Sequence, residues 1–292
     1  MKRNLTRKRK MKVDEYIKLK REKIESALKH YLGEEDFPLK QSVSYSLLSE
    51  GKRFRPLLLI AVGEAFDGEE ENLLPSSCAV EMIHTSSLIH DDLPIMDNDD
   101  WRRGKPSNHK VFGDALAMLA GDSLISLAFY IISKYPSKKG FEKKKLKAIE
   151  ILSNSYGFNG LLKGQAMELN INISKESDFD EIHLKKTGSL IAASCQIGAV
   201  MAGLSENSQR KIYQFGEKLG LAFQITDDLL DLMKDEKKKN FHERNYAHLF
   251  GVDNAKQRAK ALVEQAIEEI ETMGCKYPPL IYLAKLTVER KN

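Results

Sequence analysis

Five aspartates fall within ten positions of "LIHDDLPIMDNDDWRRGKPSNH" (88–109): Asp91, Asp92, Asp97, Asp99 and Asp100, followed after Trp101 by Arg102 and Arg103. Two carboxylates about 5 Å apart at an effective dielectric near 20 repel by roughly 3 kcal/mol. A second acidic group, Asp227, Asp228 and Asp231, stands in "FQITDDLLDLM". Hard divalent cations take oxygen ligands, and Mg²⁺ is commonly shared between carboxylates, water and a substrate phosphate. Cationic residues accompany the acid: Lys52, Arg53, Arg55, Arg102, Arg103, Lys185 and Lys186. Guanidinium forks match phosphate oxygens. Carboxylates for metal, metal for diphosphate and cations for the remaining phosphate charge make one consistent chemistry.

Each motif has a plainer reading. A lone aspartate motif on a helix is ordinarily a solvated face or an N-terminal cap; two such motifs, Asp91-Asp92-Asp97 and Asp227-Asp228-Asp231, behind apolar helical rows argue otherwise. "GKRFRP" is not a phosphate loop of the GxxxxGK[ST] type, and the histidines of "HERNYAH" are too far apart for a zinc protease. Glu81 and His84 in "EMIH" have di-iron spacing, but the chain holds no second copy.

The aspartates need elements that turn them inward. Ile83, Ser87 and Asp91 form one i, i+4 row, and His84, Leu88 and Asp92 the next. Pro94 should end that helix near Asp92–Leu93, and the break can swing Asp97 back toward Asp91. Ile212, Phe215, Leu219 and Phe223 are spaced at three and four, and Asp227 and Asp231 continue their row. An inward aspartate is costly unless something positive meets it. "LPSSCAVEMIHTSSLIHDD" and "LKKTGSLIAASCQIGAVMAG" read as buried helices rich in small residues, which permit close helix contacts. No proline occurs between 137 and 277, so long helices are allowed there. Breaks are expected at "LGEEDFP", "FDGEEENLLP", "SKYPSKKG" and "NISKESDFD". The expectation is an all-α fold of ten or more helices, with 13–292 as one domain behind a basic, frayed tail at 1–12.

Composition narrows the function classes. The 292 residues carry a net charge of +4, and seven of the first twelve residues are basic with none acidic. The rest of the chain is therefore slightly acidic, which argues against a nucleic-acid-binding domain. No unbroken apolar run is longer than the six residues of "LLLIAV", so no transmembrane segment is expected. Cys78, Cys195 and Cys275 are odd in number and far apart, as buried thiols of a reducing cytoplasm are.

The segments "GKRFRP", "EMIHTSSLIHDDLPIMDNDDWRRGKPSNHKVFG", "LAGDSL", "GQAMEL", "KKTGSLI" and "FQITDDLLD" follow one another in this order. Across residues 45–233 the chain resembles the short-chain trans-prenyl diphosphate synthases, the farnesyl and geranylgeranyl diphosphate synthases of bacterial and plastid-like type. The resemblance implies an isoprenoid-synthase fold with helices around a central cavity, usually as a homodimer. It implies that Asp91, Asp92 and Asp97, with Asp227, Asp228 and Asp231, hold up to three Mg²⁺ on an allylic diphosphate. It implies that Lys52, Arg55, His84 and Arg103 bind isopentenyl diphosphate. Arg102, Lys186, Thr187 and Gln224 fall on the allylic side, where Lys186, Thr187 and Gln224 would act on the reacting groups. Gln165 lies in the family's "GQ" helix, with Glu168 in place of the usual aspartate. The implied reaction is ionisation of the allylic C–O bond, attack by the alkene of isopentenyl diphosphate and proton loss, with no nucleophilic side chain.

The pattern departs from the family after Asp231. "LMKDEKKKNFHERNYAHLFG" is shorter than the usual loop; Tyr246 matches a tyrosine of the family, but Glu243 stands where a lysine contacts the allylic diphosphate. Lys237, Lys238 or Lys239 could substitute for it. Product length should follow the helix that carries Asp91, one turn of about 5.4 Å accommodating about one isoprene unit. Farnesyl synthases of this type carry an aromatic residue at the position of Ser86; serine there, beside Ser87, leaves room, with Ile83 and Met82 as floor residues. Geranylgeranyl diphosphate is the expected product, with farnesyl diphosphate as the alternative. A weakly active or scaffold subunit of the same family, a terpene cyclase or head-to-head synthase, and a metal-binding bundle without diphosphate chemistry are the competing readings.

Overall fold

The computed structural model describes residues 2–170, 175–232 and 245–290, with side chains from residue 12 onward. Its elements run α1 (Lys2–Leu32), α2 (Pro38–Leu47), α3 (Phe54–Ala65), α4 (Glu70–Asp91), β1 (Trp101–Arg102), β2 (Lys105–Pro106), α5 (Asn108–Phe112), α6 (Asp114–Lys134), α7 (Glu142–Tyr156), α8 (Leu161–Asn170), α9 (Glu176–His183), a π-helical turn (Leu184–Gly188), α10 (Ser189–Ala202), α11 (Glu206–Leu232), α12 (Tyr246–Phe250), α13 (Val252–Thr272) and α14 (Pro278–Glu289). The all-α expectation holds, with one short hairpin that the motif reading passed over. Glu243 and Lys237–Lys239 lie outside the described residues, as do the side chains of the basic segment up to residue 11.

Contacts sort into two compact units, residues 1–60 with 69–149, and residues 61–68 with 150–292. In the first, α4 is the central helix. It is buried on nearly every side from Asn72 to Ile89, as a helix of small and apolar residues must be. The break expected at "FDGEEENLLP" falls in the first part of that segment, between α3 and α4, and the helical run begins before Pro75. Pro75 lies inside the helix, where its missing N–H costs one intrahelical bond. α6 packs along α4 through Ala117, Ala120, Gly121, Leu124 and Ala128, all buried at three- and four-residue steps. At Gly121 a β-carbon would lie 2.1 Å from His90 Nε2, so only glycine admits the imidazole of α4 there. By length and composition α6 could cross a membrane, its best window having a mean hydropathy of 1.9. Asp122 and the neighbouring serines interrupt its apolar run, so no single unbroken stretch marks it in the sequence. Core helices pass the same test, and α6 has one face in the core and one outside it.

In the second unit α11 meets α10 and the π-helical turn at two glycine contacts. A β-carbon on Gly216 would sit 2.5 Å from Ala192 Cα, and one on Gly220 2.4 Å from Gly188 Cα. Ile212, Phe215 and Leu219 are fully buried, as their spacing predicts. A second cluster of Phe179, Ile182, Leu221, Ile225, Tyr246 and Ala259 joins α9, α11, α12 and α13.

Candidate active site

The first aspartate group is shaped by the end of α4. Asp91 is its last residue and Asp92 its C-cap, with the Asp92 N–H donating to Leu88 O at 3.2 Å. The chain then turns through Pro94, and the Asp97 N–H donates to Asp91 O at 2.9 Å. The break does return the Asp97 backbone to Asp91, and Asn98 just beyond it takes the left-handed conformation (φ 52°).

The following hairpin pairs Trp101 with Pro106 and Arg102 with Lys105. Its two turn residues, Arg103 (φ 53°) and Gly104 (φ 75°), both have positive φ, the signature of the tight I′ turn that suits twisted strands. Arg103 is thus held in a conformation rare for a long side chain, the kind of local cost that collects at functional sites. Arg102 returns to the helix end. Its Nε donates to Asp92 Oδ1 at 2.8 Å, its Nη2 bonds the same oxygen, and Nη2 also donates to Asp99 Oδ2 at 2.9 Å. Asp92 is only 2% exposed; burial pushes its pKa up, and Arg102 partly offsets this. Asp100 pairs instead with Lys110 at 2.7 Å. Asp92, Arg102, Arg103, Tyr45, Ser49 and Thr85 line one narrow cleft.

A cationic group lies on the same unit. Arg55 Nη1 donates to His84 Nε2 at 3.2 Å. Since arginine can only donate, that nitrogen accepts, and the imidazole is neutral. Burial, then Arg55 and Arg103, hold the His84 pKa well below the usual imidazole range. Arg103 Nη1 donates to Ser49 Oγ at 3.4 Å and Nη2 lies 3.8 Å from Glu81 Oε1. Arg53 turns inward: Nη1 bonds Glu81 Oε1 at 2.8 Å, and Nη2 donates to Leu47 O at 3.0 Å and Ser49 O at 2.7 Å. Arg53 is therefore a buried staple of the "GKRFRP" turn rather than a phosphate ligand, and Glu81 of "EMIH" is its counter-charge. Lys52 stays exposed and lines a second cleft with Arg103, Lys18 and Arg21. Sequence reading missed the α1 pair because only the fold brings Lys18 and Arg21 beside Lys52.

Ser86 is fully buried, with no hydrogen-bond partner for its hydroxyl among the described residues. Ser87 donates to His84 O at 2.9 Å, and Met82 and Ile83 are wholly buried.

The second aspartate group lies on the second unit, and its burial differs from the expected row. Asp228, not Asp227 or Asp231, is the inward residue. It accepts from Gln224 Nε2 at 2.9 Å and from the Tyr246 N–H at 2.7 Å, and burial pushes its pKa up to about 7. Asn245 donates to Asp228 O at 2.7 Å, so the start of α12 is tied to the end of α11. Phe223 is half-buried, because Arg290 lies 3.6 Å over its ring. The same guanidinium bonds Asp227 Oδ1 at 2.8 Å. Arg290 is a functional candidate that no local motif signals.

Lys186 and Thr187 stand on the π-helical turn. Such turns interrupt the regular ladder and re-aim side chains. Lys186 pairs with Glu168, the residue that replaces the usual aspartate. Thr187 Oγ1 donates to Gln224 Oε1 at 2.9 Å, which fixes the amide so that its Nε2 faces Asp228. The turn is seated against α8 at Gly164, where a β-carbon would be 2.2 Å from Lys186 N. Gln165 beside it is buried with neither amide atom partnered among the described residues.

These features match a known family along most of the chain. The family model for polyprenyl synthetase matches residues 37–273. The chain belongs to the polyprenyl synthetase family. The enzyme is 37% identical to the farnesyl diphosphate synthase of Geobacillus stearothermophilus, over 97% of this chain and 99% of that protein. It is 40% identical to the geranylgeranyl diphosphate synthase of Cyanophora paradoxa, over 86% and 87% of the two chains. Among solved structures, an FPP/GFPP synthase from Zymomonas mobilis superposes with a TM-score of 0.87 at 32% identity, covering 95% of this chain and 99% of its own. The fold is the all-α isoprenoid-synthase fold, and the enzyme is a prenyltransferase.

Among the described residues no three acidic, imidazole or thiol side chains converge as a ready-made metal cage. The donor set nevertheless fits Mg²⁺ in kind. The carboxylates are hard oxygen ligands, and Mg²⁺ needs only one or two of them beside water and phosphate. Asp92 and Asp227 each have one oxygen, Oδ1, bonded to a guanidinium.

Proposed function

We propose that the enzyme condenses isopentenyl diphosphate with allylic diphosphates of five, ten and fifteen carbons, ending at geranylgeranyl diphosphate. Asp91, Asp92 and Asp97, with Asp227, Asp228 and Asp231, are the residues that would hold up to three Mg²⁺. Bound there, the metal supplies charge for the departing pyrophosphate. Arg102 and Lys186 add cationic hydrogen bonds to the allylic diphosphate. Lys52, Arg55 and Arg103 hold the other substrate, with His84 as a neutral neighbour of Arg55. The Thr187 hydroxyl and the Gln224 amide keep uncharged polar atoms beside the reacting allyl group, where a water-poor site keeps its cation from capture by water.

Product length rests on one observation: Ser86, on the helix that ends in Asp91, is small and fully buried. The similarity to a farnesyl diphosphate synthase keeps that shorter product as the second reading. The outer face of α6, with Met118, Leu119 and Tyr130 exposed, supports a homodimer, since an apolar helix face of this kind marks an interaction surface. Cysteines that are all free and buried fit a reducing, cytoplasmic setting. The test is product length with five-, ten- and fifteen-carbon primers, resolved by reversed-phase chromatography. Geranylgeranyl diphosphate from every primer is the expected result. Termination at fifteen carbons, with no turnover of farnesyl diphosphate, would replace it with the farnesyl reading.

A further inference from the structure

We propose that Glu176, at the start of α9, is a positioning residue for the second aspartate group. It anchors the Tyr246 hydroxyl and so fixes the Tyr246 N–H on which the Asp228 carboxylate rests. The proposal rests on the reading of Asp228 as a metal ligand.

The link runs through Tyr246. Asp228 receives Gln224 Nε2 on Oδ1 and the Tyr246 N–H on Oδ2, so the two donors together set the plane of the carboxylate. Gln224 lies one turn earlier on the same helix, α11, and moves with Asp228. Tyr246 opens α12, which is five residues long. A helix that short does not hold its own position; tertiary contacts must do so. Tyr246 is tied at both ends. Beside its backbone, Asn245 Nδ2 donates to Asp228 O at 2.7 Å. At the far end of the ring, its hydroxyl donates to Glu176 Oε1 at 2.9 Å. Asn254 Nδ2 closes a triangle, donating to the same Glu176 oxygen at 3.0 Å and to the Tyr246 hydroxyl oxygen at 3.2 Å. Arg258 backs the triangle. Its Nη1 lies 3.7 Å from Glu176 Oε2, its Nη2 bonds Asp180, and its guanidinium stands 5.2 Å from the centre of the Tyr246 ring. Phe179 and Phe250 pack on that ring with centroids at 4.9 and 4.8 Å. Apolar packing is non-directional and leaves the ring able to slide in its own plane; the hydrogen bonds at its tip stop the slide. Partners that directly orient a ligand carboxylate are worth about ten- to a hundredfold in metal affinity. Glu176 acts one residue further back and its side chain is 46% exposed, which leaves it about three- to tenfold.

Two readouts separate this role from a general loss of stability. Hydrogen exchange of the Tyr246 amide, followed by NMR, reports the bond to Asp228 itself. Mn²⁺ titrated into the full chain without substrate, with free Mn²⁺ read by electron paramagnetic resonance, reports the metal. In Glu176→Ala and in Tyr246→Phe the amide is expected to exchange about tenfold faster and Mn²⁺ to bind about three- to tenfold more weakly, with no further loss when the two changes are combined. Glu176→Gln keeps an oxygen for the hydroxyl and is expected within about twofold of wild type. Asp178→Asn alters the same first turn of α9, where Asp178 accepts from the Lys175 N–H, and is expected to leave both readouts unchanged. Thermal melts establish that each variant is folded. Unchanged amide exchange, or unchanged Mn²⁺ binding, in Glu176→Ala or Tyr246→Phe overturns the positioning role, as does equal weakening by Asp178→Asn. Mn²⁺ binding that Asp228→Asn leaves intact removes the metal reading of Asp228 and the proposal with it. Weakening by Asp228→Asn alone keeps that reading and overturns only the part given to Glu176.

Discussion

Replacing Gly164 by alanine separates two opposing effects. In an isolated helix the change is favourable by about 1 kcal/mol. Here the new methyl would stand 2.2 Å from Lys186 N, 2.6 Å from Lys186 Cα and 2.8 Å from Lys185 C. All three are backbone atoms, so no flexible side chain can swing clear. Restoring van der Waals distance requires α8 and the π-helical turn to part by about 1 Å, at an overpacking cost of about 1–3 kcal/mol. The turn carries Lys186 and Thr187, and Thr187 orients Gln224 at 2.9 Å. Misplacing groups of this kind by about 1 Å costs about a hundredfold in rate. The expected result for Gly164→Ala is a kcat/KM about a hundredfold lower, with a lower Tm. Steady-state kinetics with geranyl diphosphate and a thermal melt decide it. A kcat/KM within threefold of wild type together with a raised Tm would refute the argument, because propensity would then have outweighed the contact.

Three further outcomes follow from particular contacts. Glu81→Gln removes the nearer counter-ion of the buried Arg53, at 2.8 Å with both side chains 1% exposed, and leaves Glu25 at 3.8 Å as the remaining carboxylate; a loss of about 3 kcal/mol in denaturant unfolding is expected, and a loss below 1 kcal/mol would contradict the staple. Burial lowers the His183 pKa to about 4, so the unfolded chain binds a proton that the folded one refuses. Stability is full above about pH 6.5 and falls by about 3 kcal/mol as pH drops to about 4, a limb that His183→Leu should flatten in pH-dependent melts. Ser86→Tyr puts an aromatic ring on the helix one turn before Asp91 and should shorten the main product by one isoprene unit; unchanged chain length on thin-layer analysis would place the floor elsewhere.

Much of the first aspartate group was legible because its determinants are local. The i, i+4 rows of α4, the break at Pro94 and the return of Asp97 follow from spacing and proline geometry alone. The hairpin was not: "RRGK" contains one glycine, and the second left-handed residue is an arginine, which sequence gives no reason to expect. The π-helical turn has no signal in "LKKTG" either; it lies where Gly164 and Gly220 let two other helices press on it. The different part played by Arg53 among the basic residues of "GKRFRP" was not legible, because such residues look alike until their partners are known, and Glu81 is remote in sequence. The same holds for Arg290, whose partner Asp227 belongs to a different helix. Asp228 proved the inward member of its group because α12 covers that side of α11, a tertiary fact that a helical row does not contain.

The most direct test of the account is turnover by the purified chain alone, with geranyl diphosphate and radiolabelled isopentenyl diphosphate, with and without Mg²⁺. Butanol-extractable prenyl diphosphate that forms with Mg²⁺, disappears on chelation and is lost in Asp92→Asn and Asp228→Asn is the result expected. No labelled product from any allylic primer in the presence of Mg²⁺ would contradict it and leave the chain as a scaffold for an active partner.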